Sequence, residues 1–255
     1  MEQLQYDGSI EIFDVPSETK ADAIPLPSLQ PSFACAMQRS LAHIKDRYDV
    51  PMILDIGCGR KSDIARFFKG SGIRATVHGA DLDPYSLENK DVEQVFLCDA
   101  ADMPFKDGSY NLVFSQFLLE HVQDSMTTVK SIARVTAKEG LVTLLIPNPT
   151  SPAAIVTKLT PFSFHLFFKR RIQGFDGVSE DTFPTVFNFK SVSNLKRQMQ
   201  EAGFKDVEAV FIPEVYLRFR LRPVLGRLAI LYTQVITALK LDFLKSSVVM
   251  VGTKE

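Results

Sequence analysis

Between residues 52 and 146 the chain repeats one unit: a short apolar run, a stop, then a stretch with helical spacing. The runs are Met52–Ile56 stopped by Gly57 and Gly59, Ala75–Ala80 ending at Asp81, Gln94–Cys98 ending at Asp99, Tyr110–Phe114 ending at Ser115, and Leu141–Ile146 ending at Pro147. Ser125–Ala137 is the clearest intervening helix, with Met126, Val129, Ile132 and Ala133 on one face. Strands alternating with helices predict a parallel sheet covered on both sides. Such sheets bind ligands beyond the carboxyl ends of their strands, where Gly57, Asp81, Asp99 and Ser115 fall.

The flanks follow different patterns. Residues 1–31 are polar and then punctuated by Pro16, Pro25, Pro27 and Pro31, and read as an N-terminal arm before a domain over 32–255. Phe33, Met37, Leu41, Ile44 and Tyr48 recur at spacings of three and four, predicting an amphipathic helix with Ser32 available as its cap. Residues 147–190, rich in Pro, Phe and Ser, break the rhythm and read as an insertion or lid whose phenylalanines form a small core of their own. Ser191–Ala202 then reads as a helix stopped by Gly203, with Lys205–Phe211 and Ser247–Gly252 as strands. Between those strands, 223–240 is an apolar helical segment with Val224, Leu228, Leu231, Val235 and Leu239 in register, expected to be buried under a basic solvent face.

With 255 residues, 45% of them hydrophobic, the chain can bury a substantial core. The formal net charge of −1 gives no global positive field, so nucleic acid is not expected as a partner. Residues 1–149 carry 14 Lys/Arg against 21 Asp/Glu, a net of −7, which suits a cationic ligand. Residues 150–227 carry 12 against 7, a net of +5, which suits an anionic substrate or lipid headgroups. The alternating run Leu217–Arg222, the cluster Lys169-Arg170-Arg171 and the apolar segment after them point to peripheral membrane contact through 217–240 or to a phosphorylated or lipid-linked acceptor. Cys35, Cys58 and Cys98 are widely separated and the four histidines scattered, so no metal site or disulfide framework is expected and a cytoplasmic setting fits. The N-terminus lacks a basic region followed by an apolar one, so a secretory signal is not expected. The longest uncharged apolar stretch, the twelve residues Leu228–Leu239, is too short to span a bilayer. Oligomeric state stays open.

The glycines of Asp55-Ile56-Gly57-Cys58-Gly59 let backbone approach a ligand without interference from Cβ. Such a turn serves dinucleotides, methyl donors and plain tight turns alike. The dinucleotide form needs a third glycine where Ser62 stands. Asp81 is placed to accept from a ribose diol and Asp99 from an adenine amino group. A nicotinamide-dependent oxidoreductase and a non-catalytic cofactor-fold binding protein remain as alternatives at this point.

Taken in order, Leu54–Gly59 (LDIGCG), Gly79–Pro84 (GADLDP), Cys98–Phe105 (CDAADMPF), Asp107–Ser115 (DGSYNLVFS), Leu118–Val122 (LLEHV) and Glu139–Pro149 (EGLVTLLIPNP) form a series. With it the chain resembles the class I S-adenosylmethionine-dependent methyltransferases, in particular the group with a type 11 methyltransferase domain. The resemblance is close over roughly 50–150 and loose over 191–255. It implies an α/β fold, a doubly wound, Rossmann-like seven-stranded sheet with helices on both faces, and S-adenosyl-L-methionine as cofactor. The site it implies has Asp55, Gly57, Cys58 and Gly59 at the methionine end, Asp81 with Leu82 at the ribose, Asp99 with Ala100 at the adenine, and a Ser115–Gln116 turn beside the methyl group. On that assignment Asp81→Ala weakens cofactor binding with little effect on folding. Two positions depart from the family: Arg60-Lys61 stand where a small residue is common, and Asn111 replaces an aspartate of structural role. The acceptor implied is a small molecule, glycan or lipid-linked compound, and the motifs name no catalytic residue. His121 and His165 are the candidates for a base, and Glu120 reads as support for the fold.

Overall fold

The computed structural model describes residues 30–45, 47–160, 185–215 and 223–255. Five parallel strands, β1 (Met52–Ile56), β2 (Thr76–Asp81), β3 (Gln94–Leu97), β4 (Tyr110–Gln116) and β5 (Thr136–Pro147), are joined by β6 (Phe204–Ile212) and β7 (Ser247–Lys254). The sheet order is β3-β2-β1-β4-β5-β7-β6, with β7 antiparallel to both neighbours. Four of the five residues of β1 are buried, as a central strand covered on both faces must be, and this is why it reads as continuous apolar sequence.

Each face has its own helices. α1 (Pro31–Ile44) and α2 (Asp63–Ser71) bury Phe33, Met37, Ile64 and Phe68 against Ile53 and Phe114. On the other face α3 (Ser125–Val135) and α5 (Val192–Glu201) bury Val129, Ile132, Leu195 and Met199 against Leu54 and Val113. Two more helices, α4 (Pro152–Leu159) and α6 (Pro223–Ala238), lie after β5 and before β7. The chain winds outward from β1 through β2 to β3, then returns to β4 on the other side of β1, so the switch point lies between β1 and β4. Registers Ile56↔Ala80, Ile56↔Ser115 and Asp81↔Leu97 bring the carboxyl ends of β1 to β4 together at one edge.

Several sequence expectations change. Pro31 takes the first turn of α1 and Gln30 its N-cap position; Ser32 is inside the helix, fully buried. β4 runs two residues further than its apolar run, so Ser115 and Gln116 are strand rather than turn. Phe187 and Phe189 do not form a separate core: both are buried in the main one, beside α5. The α6 stripe is also reversed. Val224, Leu228, Leu231, Val235 and Leu239 face out, while Ala229 and Ile236 are the side chains it buries. Asn111 is structural as expected, its Oδ1 accepting the Met52 backbone N–H at 2.8 Å at the start of β1. The arm up to residue 29, the segment 161–184 with His165 and Lys169–Arg171, and the run Leu217–Arg222 lie outside the described residues.

Candidate active site

The turn after β1 is held from below. Gly57 N–H donates to the Ala80 carbonyl at 2.7 Å, and Asn89 Nδ2 donates to the carbonyls of Cys58 and Gly59 at 3.2 and 3.0 Å. Gly57 and Gly59 have φ of 76° and 51°, the left-handed region where a side chain is strained. Cys58 points down: it is 3% exposed, and a Cβ on Gly79 would lie 2.5 Å from its Sγ. Glycine at 79 is therefore what admits the cysteine. Burial, with Asp55 and Asp81 nearby, pushes the Cys58 thiol up, so it stays protonated.

Asp55 is 4% exposed and does not reach the cleft. Its Oδ2 accepts the Ser62 hydroxyl at 2.7 Å, while Ser62 Oγ accepts the Ala65 N–H at 3.1 Å and so caps α2. Burial raises the Asp55 carboxyl to about 7, against the lowering effect of that bond. The residue at the third-glycine position thus links the strand's acid to the helix cap.

Beyond the turn opens a cavity of about 1140 Å³. Pockets for one drug-sized ligand run from about 300 to 1,000 Å³, so this one has room for a cofactor and an acceptor. Gly57, Gly59, Asp81, Leu82, Asp99 and Ala100 line it. Asp81 Oδ2 accepts the Gly59 N–H at 2.8 Å and Oδ1 the Asp83 N–H at 2.9 Å. Each carboxylate oxygen keeps a further lone pair, which is what a ribose diol needs. Asp99 Oδ1 accepts the Ala101 N–H at 2.8 Å, fixing the carboxylate beside the Ala100 backbone. Asp83 and Asp124 also line the cavity, so its carboxylates favour a cationic ligand.

Asp55, Cys58, Ser115 and Gln116 do not line it. Ser115 is 2% exposed, because β4 carries it inside the sheet, and its hydroxyl has no partner among the described residues. The wall expected from Ser115–Gln116 is supplied by the next two residues, Phe117 and Leu118. Phe117 has φ of 54°, a costly conformation for an aromatic residue, held by its N–H bond to the Leu145 carbonyl at 2.8 Å. Arg60 and Tyr85, also unforeseen, meet at the rim with the guanidinium carbon 4.6 Å from the ring centroid. Val186 could not have been read from sequence: it reaches the cavity because its N–H donates to the Glu120 carbonyl at 2.7 Å.

His121 lines the cavity beside Phe117, Leu118 and Val122. Its Nε2 lies 3.9 Å from Oε1 of Glu120, a residue 3% exposed whose carboxyl burial raises to about 8. Glu120 is therefore neutral at pH 7, and its Oε2 has no hydrogen-bond partner among the described residues.

Residues 54–144 match the family model of a methyltransferase domain. The fold, this cleft and the relatives below define the class: the chain belongs to the class I S-adenosylmethionine-dependent methyltransferases, and S-adenosylmethionine is its cofactor. It is 30% identical over 167 residues to the demethylmenaquinone methyltransferase of Staphylococcus aureus, covering 60% of this chain and 68% of that protein. Among solved structures, a SAM-dependent methyltransferase from Archaeoglobus fulgidus matches with a TM-score of 0.57 at 16% identity, covering 90% of this chain and 96% of that one. Phosphoethanolamine N-methyltransferase 2 of Haemonchus contortus, in complex with S-adenosyl-L-methionine, matches with a TM-score of 0.52 at 18% identity, covering 85% of this chain and 52% of that one. The nicotinamide-dependent and non-catalytic alternatives fall with this membership.

Proposed function

We propose that the enzyme methylates an apolar small molecule, with Asp81 holding the cofactor ribose, Asp99 and Ala100 the adenine, Gly57 and Gly59 the methionine end, and His121 acting as base. The observation that carries this reading is that one cavity is lined both by the carboxylates of Asp81 and Asp99 and by the apolar side chains of Phe117, Leu118, Val122 and Val186, together with His121. The Staphylococcus aureus relative, a demethylmenaquinone methyltransferase by name, supports an acceptor of this class over a glycan.

When bound, S-adenosylmethionine supplies an electrophilic methyl on a sulfonium. An acceptor aligned behind that methyl would form the new bond with its own electron pair, the sulfur keeping the pair of the old one. Charge disappears at the donor, so the protein contributes chiefly alignment. Asp81 and Asp99 fix the adenosyl end, and the Gly57–Gly59 turn lets the methionyl end lie against backbone. On the acceptor side, Nε2 or Nδ1 of His121 takes the proton of a hydroxyl.

Incubation with methyl-labelled cofactor and a cell extract, partitioned into organic, glycan, protein and aqueous small-molecule pools, tests the acceptor class. Label in the organic pool is expected; label confined to any other pool sinks the apolar acceptor. His121→Gln is expected to lower kcat about 10²-fold or more while leaving the KM for the cofactor unchanged. An unchanged kcat removes the base assignment.

A further inference from the structure

The outward stripe of α6 is not a solvent face by composition. Val224, Leu228, Leu231, Val235 and Leu239 follow one another at spacings of four, three, four and four, and Leu228, Leu231 and Leu239 are 58%, 56% and 64% exposed. The opposite side packs inward through Ala229 and Ile236, with the Tyr232 hydroxyl donating to the Leu244 carbonyl at 3.0 Å. A helix apolar on both sides is ordinarily covered on both. Nearby α4 repeats the pattern with Ile155, Val156 and Leu159, the last 79% exposed, and Phe243 is 55% exposed on the turn after α6.

These pieces meet at one corner. Asn148, fully buried at the end of β5, donates its Nδ2 to the carbonyls of Asp242, Phe243 and Lys245 at 3.1, 3.3 and 2.8 Å. The Thr150 hydroxyl donates to the Phe243 carbonyl at 3.0 Å. The start of α4 and the turn after α6 are therefore one unit, set where Pro147 pairs with Ser247. That is the carboxyl end of the parallel strands, the end at which the cavity opens.

Charge selects what covers the corner. Residues 152–160 contain Lys158 and no acid, and residues 223–240 contain Arg227 and Lys240 and no acid. Arg227 and Lys240 are exposed, and the one carboxylate at the turn, Asp242, is paired with Lys245 at 2.7 Å. A second copy related by a twofold axis would present the same cations to themselves, the one acid among the described residues of the patch being Asp242, already paired with Lys245. A bilayer with anionic headgroups supplies both an apolar interior and the opposite charge. α6 has 16 residues, and among the described residues no helix is long and apolar enough to cross a membrane, so it lies along the surface. We propose that α4, α6 and Phe243 form a docking face for an anionic lipid membrane, bordering the end of the sheet at which the acceptor enters. The inference stands on this face alone and does not depend on the acceptor's identity.

Flotation of the full chain with phosphatidylcholine vesicles, with and without 30% phosphatidylglycerol, tests it. Binding to the anionic vesicles is expected at least tenfold above binding to the neutral ones, and falling in high salt. Leu228→Glu with Leu231→Glu should reduce it at least tenfold with an unchanged melting temperature, whereas Leu97→Glu, an exposed leucine on the edge strand β3, should bind as the parent does. Leu239→Glu, past the end of α6, repeats the test with little risk to folding. No flotation with anionic vesicles, equal flotation with neutral ones, or full binding by the α6 variants overturns the proposal. A dimer in sedimentation velocity that the α6 substitutions convert to monomer also overturns it, assigning the face to a second copy.

Discussion

The carboxylate of Asp81, the last residue of β2, accepts the backbone N–H of Gly59, 22 residues earlier in the turn after β1, at 2.8 Å. The residue proposed to hold the ribose thus also holds the turn proposed for the methionine end. Replacing it acts twice. Asp81→Ala should weaken cofactor binding by about 1.5–3 kcal/mol, the scale of a charged hydrogen bond, as seen by calorimetry. It should also cost about 1 kcal/mol of stability, because the N–H groups of Gly59 and Asp83 lose their acceptor. The sequence alone suggested little effect on folding. Unchanged affinity removes the ribose assignment, whatever happens to stability.

Ser62 gives a second, separable test. Its hydroxyl caps α2 and donates to buried Asp55 at 2.7 Å, so Ser62→Ala removes a helix cap and leaves an acid unpaired. The cap alone contributes about 0.5–2 kcal/mol. The other part is larger while Asp55 is ionised, because a carboxylate accepts more strongly than a neutral carboxyl, and this carboxyl, raised to about 7, is mostly neutral at pH 5. Urea denaturation should therefore show a larger loss at pH 8 than at pH 5. Equal losses would mean that the hydroxyl serves the cap alone.

Much of this site was legible because its parts are local. A strand end, a glycine pair and an acid a few residues on can be seen in sequence, and Gly57, Gly59, Asp81, Leu82, Asp99 and Ala100 all line the cavity. The errors have physical causes. Asp55 is buried at the end of β1 with its carboxylate turned to the Ser62 hydroxyl, and Cys58, between the two glycines, packs down against Gly79. Ser115 was read as a turn because the apolar run stops there, although the ladder pairs it with Ile56 and Leu144. Val186 enters through a hydrogen bond to residue 120, which no local pattern encodes. The α6 stripe was visible as a pattern, but spacing says only that one face is apolar and not that the protein covers it.

Glu120 predicts a pH dependence. Burial raises its carboxyl to about 8, well above the unfolded value of about 4.3. The native state then holds a proton that the unfolded chain releases between those two values. Stability from this source is fully present below pH 4, and is lost as pH rises through about 8. Asp55 acts in the same direction, its contribution lost as pH rises through about 7. The melting temperature of the cofactor-free protein should accordingly fall from pH 5.5 to pH 8.5. Glu120→Gln, which cannot ionise, should remove roughly half of that fall. A parallel curve for the variant would place the titration elsewhere.

Glu214 holds α1 to the far end of the chain. Its carboxylate accepts the backbone N–H of Ser32 at 3.2 Å and the Ser32 hydroxyl at 2.9 Å, and it also accepts the hydroxyl of Ser247 at the start of β7. Gln30 supplies no side-chain cap to α1, so a carboxylate from the residues just after β6 takes that place. Negative charge at a helix N-terminus is favourable, and all three groups are buried. Glu214→Ala leaves two hydroxyls and an amide without their acceptor and should cost about 2–4 kcal/mol in urea denaturation. Glu214→Gln keeps an acceptor but no charge, and should lose about 1–2 kcal/mol. If the bond to Ser32 accounts for the difference, Ser32→Ala and Glu214→Gln will be non-additive in a double-mutant cycle, with a coupling of at least about 0.5 kcal/mol. Additive losses would assign the effect of Glu214 to Ser247 instead.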